Sequence, residues 1–141
     1  YRKSRTEGFG QETKRRILLG TYALSAEHQD ELYKKALKVR NIITREFRNA
    51  FDEYEIIAAP VSPVTAFKLQ ENLNNPLKMY LKDVYTVAAN LAGLPAVSIP
   101  CGKDKKGLPI GIQLIGKPFS EKLLLNVGKQ IEMEAGRLEI I

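Results

Sequence analysis

Proline is absent from the first 59 residues of this 141-residue chain, and seven prolines follow from Pro60 onward. Proline removes a backbone donor and clashes with the preceding helical turn, so a long proline-free stretch is where long helices can form. Each later proline pushes the residue before it out of the helical region, so the second part must be built from short elements. Charge divides in the same way. Residues 1–50 hold 12 Lys+Arg against 6 Asp+Glu, residues 51–141 hold 10 of each, and the net +6 therefore lies in the first fifty. The chain reads as a basic helical third followed by a turn-rich mixed section.

Gly8 and Gly10 predict a loop for the opening decapeptide. From Gln11 a helix is predicted, with Ile17, Leu18, Leu19, Tyr22 and Ala23 apolar, and Gly20 is expected to weaken or bend it. Ser25 is a candidate N-cap for a second helix, followed by Glu27, Asp30 and Glu31, acids that the helix dipole favours near a start. Leu32, Ala36, Val39, Ile43, Phe47, Ala50 and Tyr54 recur at spacings of three or four, which predicts one long helix from Ala26 to about Glu53. Ile56–Ala59, closed by Pro60, reads as a buried strand. Pro60–Pro63 follows as an extended loop, then Glu71–Asn75 as a polar turn. Pro76 opens a helix through Met79, Tyr80, Val84, Val87 and Leu91, which Gly93-Leu-Pro95 ends. Ala96–Cys101 and Pro109–Ile115 are two predicted strands, with a hairpin loop over 102–107. Phe119, Leu123, Leu124, Val127 and Ile131 give a last amphipathic helix starting near Ser120. The expected order is α-α-β-α-β-β-α, a mixed α/β chain.

The inventory of reactive groups excludes several chemistries. A single cysteine, Cys101, forbids an internal disulfide and fits a reducing, cytoplasmic setting. One His and one Cys cannot build a Cys/His zinc site. His28 is the sole imidazole, and among Glu27, Asp30 and Glu31 it reads as a solvated surface residue. Cys101 reads as a structural thiol. No Gly-x-Ser-x-Gly elbow, Walker loop or dinucleotide fingerprint occurs, and Gly107, Gly111 and Gly116 read as turn and packing glycines. The longest apolar runs are too short to cross a bilayer, so no membrane role is expected. Arg2, Lys3 and Arg5 lead into Gly and Glu, unlike a signal peptide. The basic face of the long helix could meet nucleic acid, but no aromatics interleave with its cations as a single-strand binder would need. In Arg15-Arg16, neighbouring side chains point about 100° apart, so one arginine of the pair should face a given neighbour. Arg16 falls at the edge of an apolar stripe, and Asp83 precedes Val84 and Val87 on a largely apolar helix.

Four blocks carry a resemblance: Glu7-Gly-Phe-Gly-Gln-Glu-Thr-Lys-Arg-Arg-Ile-Leu-Leu-Gly-Thr-Tyr-Ala-Leu-Ser25, Asn75-Pro-Leu-Lys-Met-Tyr-Leu-Lys-Asp83, Asn90-Leu-Ala-Gly-Leu-Pro-Ala-Val-Ser-Ile-Pro-Cys-Gly102 and Gly107-Leu-Pro-Ile-Gly-Ile-Gln-Leu-Ile-Gly-Lys-Pro-Phe119. Together they resemble the C-terminal part of the A subunits of tRNA-dependent amidotransferases, within the amidase signature family. Departures from the family pattern are at packing level: Ala59-Pro-Val-Ser-Pro-Val-Thr-Ala-Phe67, Ala88 in place of a proline, and Glu27-His-Gln at the head of the long helix.

The resemblance implies an α/β fold, the C-terminal portion of an α/β/α amidase domain whose mixed sheet is flanked by helices. Residues 1–141 would then be an incomplete segment of that domain. It implies amide hydrolysis by a Ser–Ser–Lys triad, whose lysine works as a neutral base in a desolvated site. Ser4, Ser25, Ser62, Ser98 and Ser120 match none of the triad positions, so this segment is expected to contribute no catalytic residue and to be inactive alone. In the A subunits the amide is glutamine. The ammonia passes to a B subunit and converts Glu-tRNA(Gln) or Asp-tRNA(Asn) to the cognate aminoacyl-tRNA. By the same resemblance, Arg16 would hold the α-carboxylate of glutamine and Asp83 its α-ammonium. A guanidinium fork suits a carboxylate, and an acceptor-only carboxylate suits an ammonium. Implied partners are the B and C subunits, with tRNA met through the complex. No cofactor is expected in this chain, and ATP and Mg are expected in the B subunit. Two other readings stand beside this one: a fragment of another amidase-signature amide hydrolase, or a non-enzymatic basic nucleic-acid-binding module.

Overall fold

The computed structural model describes residues 2–25, 29–69 and 76–136. The start of the long helix at Ala26, His28 and the Glu71–Asn75 turn lie outside the described residues. The chain divides into two units, Tyr1–Ile42 and Ile43–Ile141.

In the first unit the opening residues are helical where a loop was expected: α1 spans Arg2–Gly8 and α2 spans Gln11–Ala23. The two glycines punctuate the chain at the junction and leave the segment before them helical. Gly8 ends α1, and Gly10, with extended backbone at φ −65° and ψ 166°, caps α2. The Lys14 ammonium donates to the Thr6 carbonyl at 2.7 Å, tying α2 to α1. Gly20 does not end α2, which runs on to Ala23. The Ser25 hydroxyl donates to the Tyr22 carbonyl at 2.7 Å and so helps close α2, while the helix start it was expected to cap lies outside the described residues. Gln29–Tyr33 form a π-helical turn that runs into α3, Lys34–Glu53.

In the second unit the apolar stripe ends differently from its expected course. Ile43, Phe47 and Ala50 are half-buried and Phe51 is buried, whereas Tyr54 is exposed. Positions 47 and 51 are one helical turn apart and their rings stack with centroids 6.3 Å apart. Tyr54 lies past the end of α3 at Glu53, where the helical period no longer aims it at the core.

Three antiparallel strands form the sheet: β1 (Ile56–Pro60), β2 (Ala96–Lys103) and β3 (Pro109–Gly116), in the order β1-β3-β2. β2 runs further than predicted. A register shift between Pro100 and Gly102 leaves Cys101 as the extra residue of a bulge, and the hairpin loop contracts to 104–108. Alternation along β3 sends its residues to two cores. Ile115 meets Phe51 and Ala89, with Phe47, Ile57 and Leu94 around them. Leu114 meets Ile99 and Leu124, with Val97, Ile112 and Val127 around them. The end of α3 that carries Phe47 and Phe51, with α5 (Val84–Ala92), thus covers one face and α6 (Glu121–Glu134) the other, the layered α/β arrangement that was expected. Gly128 lets α6 approach the sheet, because a Cβ there would stand 2.8 Å from Ile99 Cδ1.

Two further expectations are corrected. The single helix from Pro76 is two helices, α4 (Pro76–Lys82) and α5, separated at Asp83, whose φ of −89° and ψ of 2° leave the helical path. Aspartate favours helix starts over interiors, and here it occupies the N-cap position of α5. Phe119 does not join the apolar face of α6. It is 95% exposed, at a positive φ of 64°, because the turn from β3 into α6 closes by Ser120 N–H and Oγ–H donating to the Lys117 carbonyl.

Candidate functional site

Asp83 lines a hollow of about 640 Å³ in the second unit. The break between α4 and α5 brings it there, with Lys82 before it and Thr86 one turn after. Thr86 donates through both its N–H and its hydroxyl to the Asp83 carbonyl, at 3.1 and 3.2 Å, and Val87 N–H adds a third bond at 3.0 Å. Those bonds fix the backbone. The Asp83 carboxylate makes no capping hydrogen bond to its own helix. The opposite wall comes from the sheet, through Ser98, Pro100, Ile110 and Gly111, and from the Val61–Phe67 segment. Val61 N–H donates to the Gly111 carbonyl at 3.2 Å, prolonging the pairing of β1 with β3 by one bond. A Cβ on Gly111 would stand 3.1 Å from Val61 and 3.3 Å from Ser98 Oγ, so the glycine keeps this wall thin.

Gln113 carries the frame behind the hollow. Its side chain is buried, with 3% exposed, at the register position between Ala59 and Ser98. Its amide Nε2 donates to the Pro60 carbonyl at 3.1 Å and to the Tyr85 carbonyl at 2.9 Å. One side chain therefore ties the end of β1, where the Val61–Phe67 wall begins, to the first turn of α5, where Asp83 stands. Sequence reading passed over Gln113 as a strand residue. Its signal was a lone polar side chain inside the apolar run Ile110–Ile115.

Arg16 lies in the first unit and Asp83 in the second, and each is described in its own surroundings. Arg16 is exposed on α2, and its Nε donates to Glu12 Oε1 at 2.9 Å. Arg15 reaches the other oxygen of the same carboxylate at 3.0 Å. The expectation that one arginine of the pair would face a given neighbour is thus corrected. Offsets of three and four residues straddle Glu12's direction on the helix, and a carboxylate has two oxygens to share. No residue of α2 is buried, and Ile17, Leu18, Leu19 and Tyr22 are all exposed.

The Cys101 thiol is half-buried and donates to the Ile110 carbonyl at 3.6 Å, a structural contact across the bulge. Among the described residues, no group of three or more His, Cys, Asp or Glu side chains could hold a metal ion. No helix of the described residues is long and apolar enough to cross a membrane.

The model of a family described as Amidase matches residues 1–125. The chain belongs to the amidase family. Among its relatives, the A subunit of glutamyl-tRNA(Gln) amidotransferase from Brevibacillus brevis is 54% identical over 136 residues, covering 96% of this chain and 28% of that protein. The protein of the same name from Caldanaerobacter subterraneus subsp. tengcongensis is 57% identical over 132 residues, covering 94% of this chain and 27% of its own length. This amidase chain thus spans a little over a quarter of the length of those relatives. The crystal structure of the glutamyl-tRNA(Gln) amidotransferase A subunit from Thermotoga maritima superposes with a TM-score of 0.71 at 42% identity, over 92% of this chain and 29% of that one. Kluyveromyces lactis allophanate hydrolase gives a TM-score of 0.70 at 30% identity, over 88% of this chain and 20% of that one.

Proposed function

We propose that this chain is part of the glutamine-hydrolysing A subunit of a tRNA-dependent amidotransferase, and that it supplies substrate-binding residues and no nucleophile. The observation that carries this reading is Asp83 itself. The Met-Tyr-x-x-Asp block ends at a helix break, and the break leaves an uncapped carboxylate lining a hollow. In this reading Asp83 accepts hydrogen bonds from the α-ammonium of glutamine, and Arg16 donates to the α-carboxylate. Arg16 is exposed, and its ion pair with Glu12 is of a kind that contributes about 0–1 kcal/mol, so that pair opposes a substrate carboxylate only weakly.

The Ser–Ser–Lys triad lies in this proposal on segments beyond residues 1–141, and ATP and Mg are held by the B subunit. The names of the relatives, A subunits of glutamyl-tRNA(Gln) amidotransferases, support a multi-subunit enzyme that acts on glutamyl-tRNA(Gln). In this proposal the chain meets tRNA through the B and C subunits. A second reading, hydrolysis of a different amide, is favoured by the likeness to allophanate hydrolase. Substrate dependence separates the two. In the complete protein Arg16→Ala should raise the KM for glutamine about 30-fold or more, the factor for about 2 kcal/mol of a charge-assisted contact. An unchanged KM removes Arg16 from the site, and hydrolysis indifferent to glutamine favours the second reading.

A further inference from the structure

The Pro63–Phe67 segment stands between two open spaces. On one side is the Asp83 hollow; on the other, a second hollow of about 770 Å³ is lined by Lys68, Leu81, Lys82, Lys106 and Leu108. Between Pro63 and Leu69 only Thr65 is half-buried, and the other six residues are exposed. Burial of apolar surface therefore does little to hold this wall, and its position depends on directed contacts.

Two of them reach to other elements from Phe67 and Thr65. The Lys82 ammonium sits 3.3 Å from the centroid of the Phe67 ring, a cation–π contact from the residue next to Asp83. The Thr65 hydroxyl donates to Asp104 Oδ2 at 2.9 Å, a bond between residues 39 apart in sequence. Asp104 is a firm anchor. Its Oδ1 accepts from the Lys106 amide at 2.7 Å and the Leu108 amide at 2.9 Å, while its own N–H donates to the Leu108 carbonyl at 2.8 Å. The hairpin loop between β2 and β3 is thus wound around one carboxylate whose second oxygen faces Thr65. The Leu108 amide, with the Thr65 hydroxyl and the Lys106 amide, holds that carboxyl below its ordinary range.

We propose that Asp104 is a positioning residue for the Asp83 hollow, acting through Thr65 to hold the Pro63–Phe67 wall in place. Asp104 does not itself line that hollow, whereas Thr65 does. The proposal rests on the reading of the hollow as the glutamine site. It assigns the hairpin loop a task in substrate binding that the sequence did not suggest.

The test uses the complete glutaminase. Asp104→Ala should raise the glutamine KM about fivefold, the factor for about 1 kcal/mol lost through a wall that touches the site only indirectly, with kcat within about twofold. Asp104→Asn keeps an acceptor for the two loop amides and a polar contact to Thr65, so it should restore most of the KM. In a Thr65→Val background the Asp104→Ala effect should vanish, because the two residues act in series. Hydrogen exchange over residues 64–69 should quicken in Asp104→Ala. Unchanged exchange, or a KM effect of equal size in the Thr65→Val background, overturns the proposal. So does an unchanged KM in Asp104→Ala when Asp83→Asn raises it. If Asp83→Asn leaves the KM unchanged as well, the glutamine reading of the hollow is what has failed.

Discussion

Replacing Gln113 by leucine removes a side chain that bridges the end of β1 to α5. Both hydrogen bonds come from the same amide nitrogen, to Pro60 O at 3.1 Å and Tyr85 O at 2.9 Å. Each is worth about 1 kcal/mol net, so about 2 kcal/mol is lost. A leucine of similar size regains part of that through apolar burial at a site 3% exposed, which leaves a loss of about 1–2 kcal/mol. Gln113→Glu is the sharper probe. A carboxylate cannot donate, so at neutral pH a buried negative charge would face two carbonyl oxygens, at a cost of about 3–5 kcal/mol. Burial raises the pKa of such a group, and once protonated it has one O–H to donate. Stability of Gln113→Glu should therefore recover in part as pH falls from 7 toward 5. Urea unfolding of the protein and both variants at pH 7 and pH 5 measures this. A Gln113→Leu variant within 0.5 kcal/mol of the parent, or a Gln113→Glu variant no worse than Gln113→Leu at pH 7, would refute the bridging role.

Leu124 is among the most deeply buried side chains, 2% exposed between Ile99 and Leu114, so Leu124→Ala should cost about 2–5 kcal/mol in chemical denaturation. The depressed titration of Asp104 sets a pH dependence. The folded protein releases that proton more readily than the unfolded chain, so the stabilisation is complete above the ordinary carboxylate value and fades as pH falls below it. The difference in urea midpoint between the parent and Asp104→Asn should accordingly hold steady down to about pH 5 and shrink below about pH 4. A difference that grows on acidification would contradict the hydrogen-bonding pattern around Asp104.

The strands and the layered order were legible because their signals are local. Pro60 closes β1, Gly93 ends α5 in the left-handed region at φ 70°, and alternation along β3 divides two cores. The break at Asp83 was not, because one residue of poor helix propensity inside an apolar pattern shifts the balance by only about 0.5 kcal/mol. Phe119 looked like the first apolar residue of α6, and only the closure of the preceding turn placed it outside. Gln113 and Asp104 were missed for a different reason. Their partners lie 28, 53 and 39 residues away, and no periodicity reports such a bond. Asp83 was readable from the block that carries the resemblance, and it lines the hollow, but the frame that holds it in place was not.

Recognition of the glutamine α-ammonium by Asp83 is the central claim, and an analogue lacking that group tests it directly. Glutaramic acid is glutamine without the amino group. In the complete protein, Asp83→Asn should raise the KM for glutamine about 10- to 100-fold, the range for a lost hydrogen bond to a charged group. The weaker hydrolysis of glutaramic acid should stay within about twofold of the parent. Equal losses on the two substrates, or no loss on glutamine, would contradict the claim.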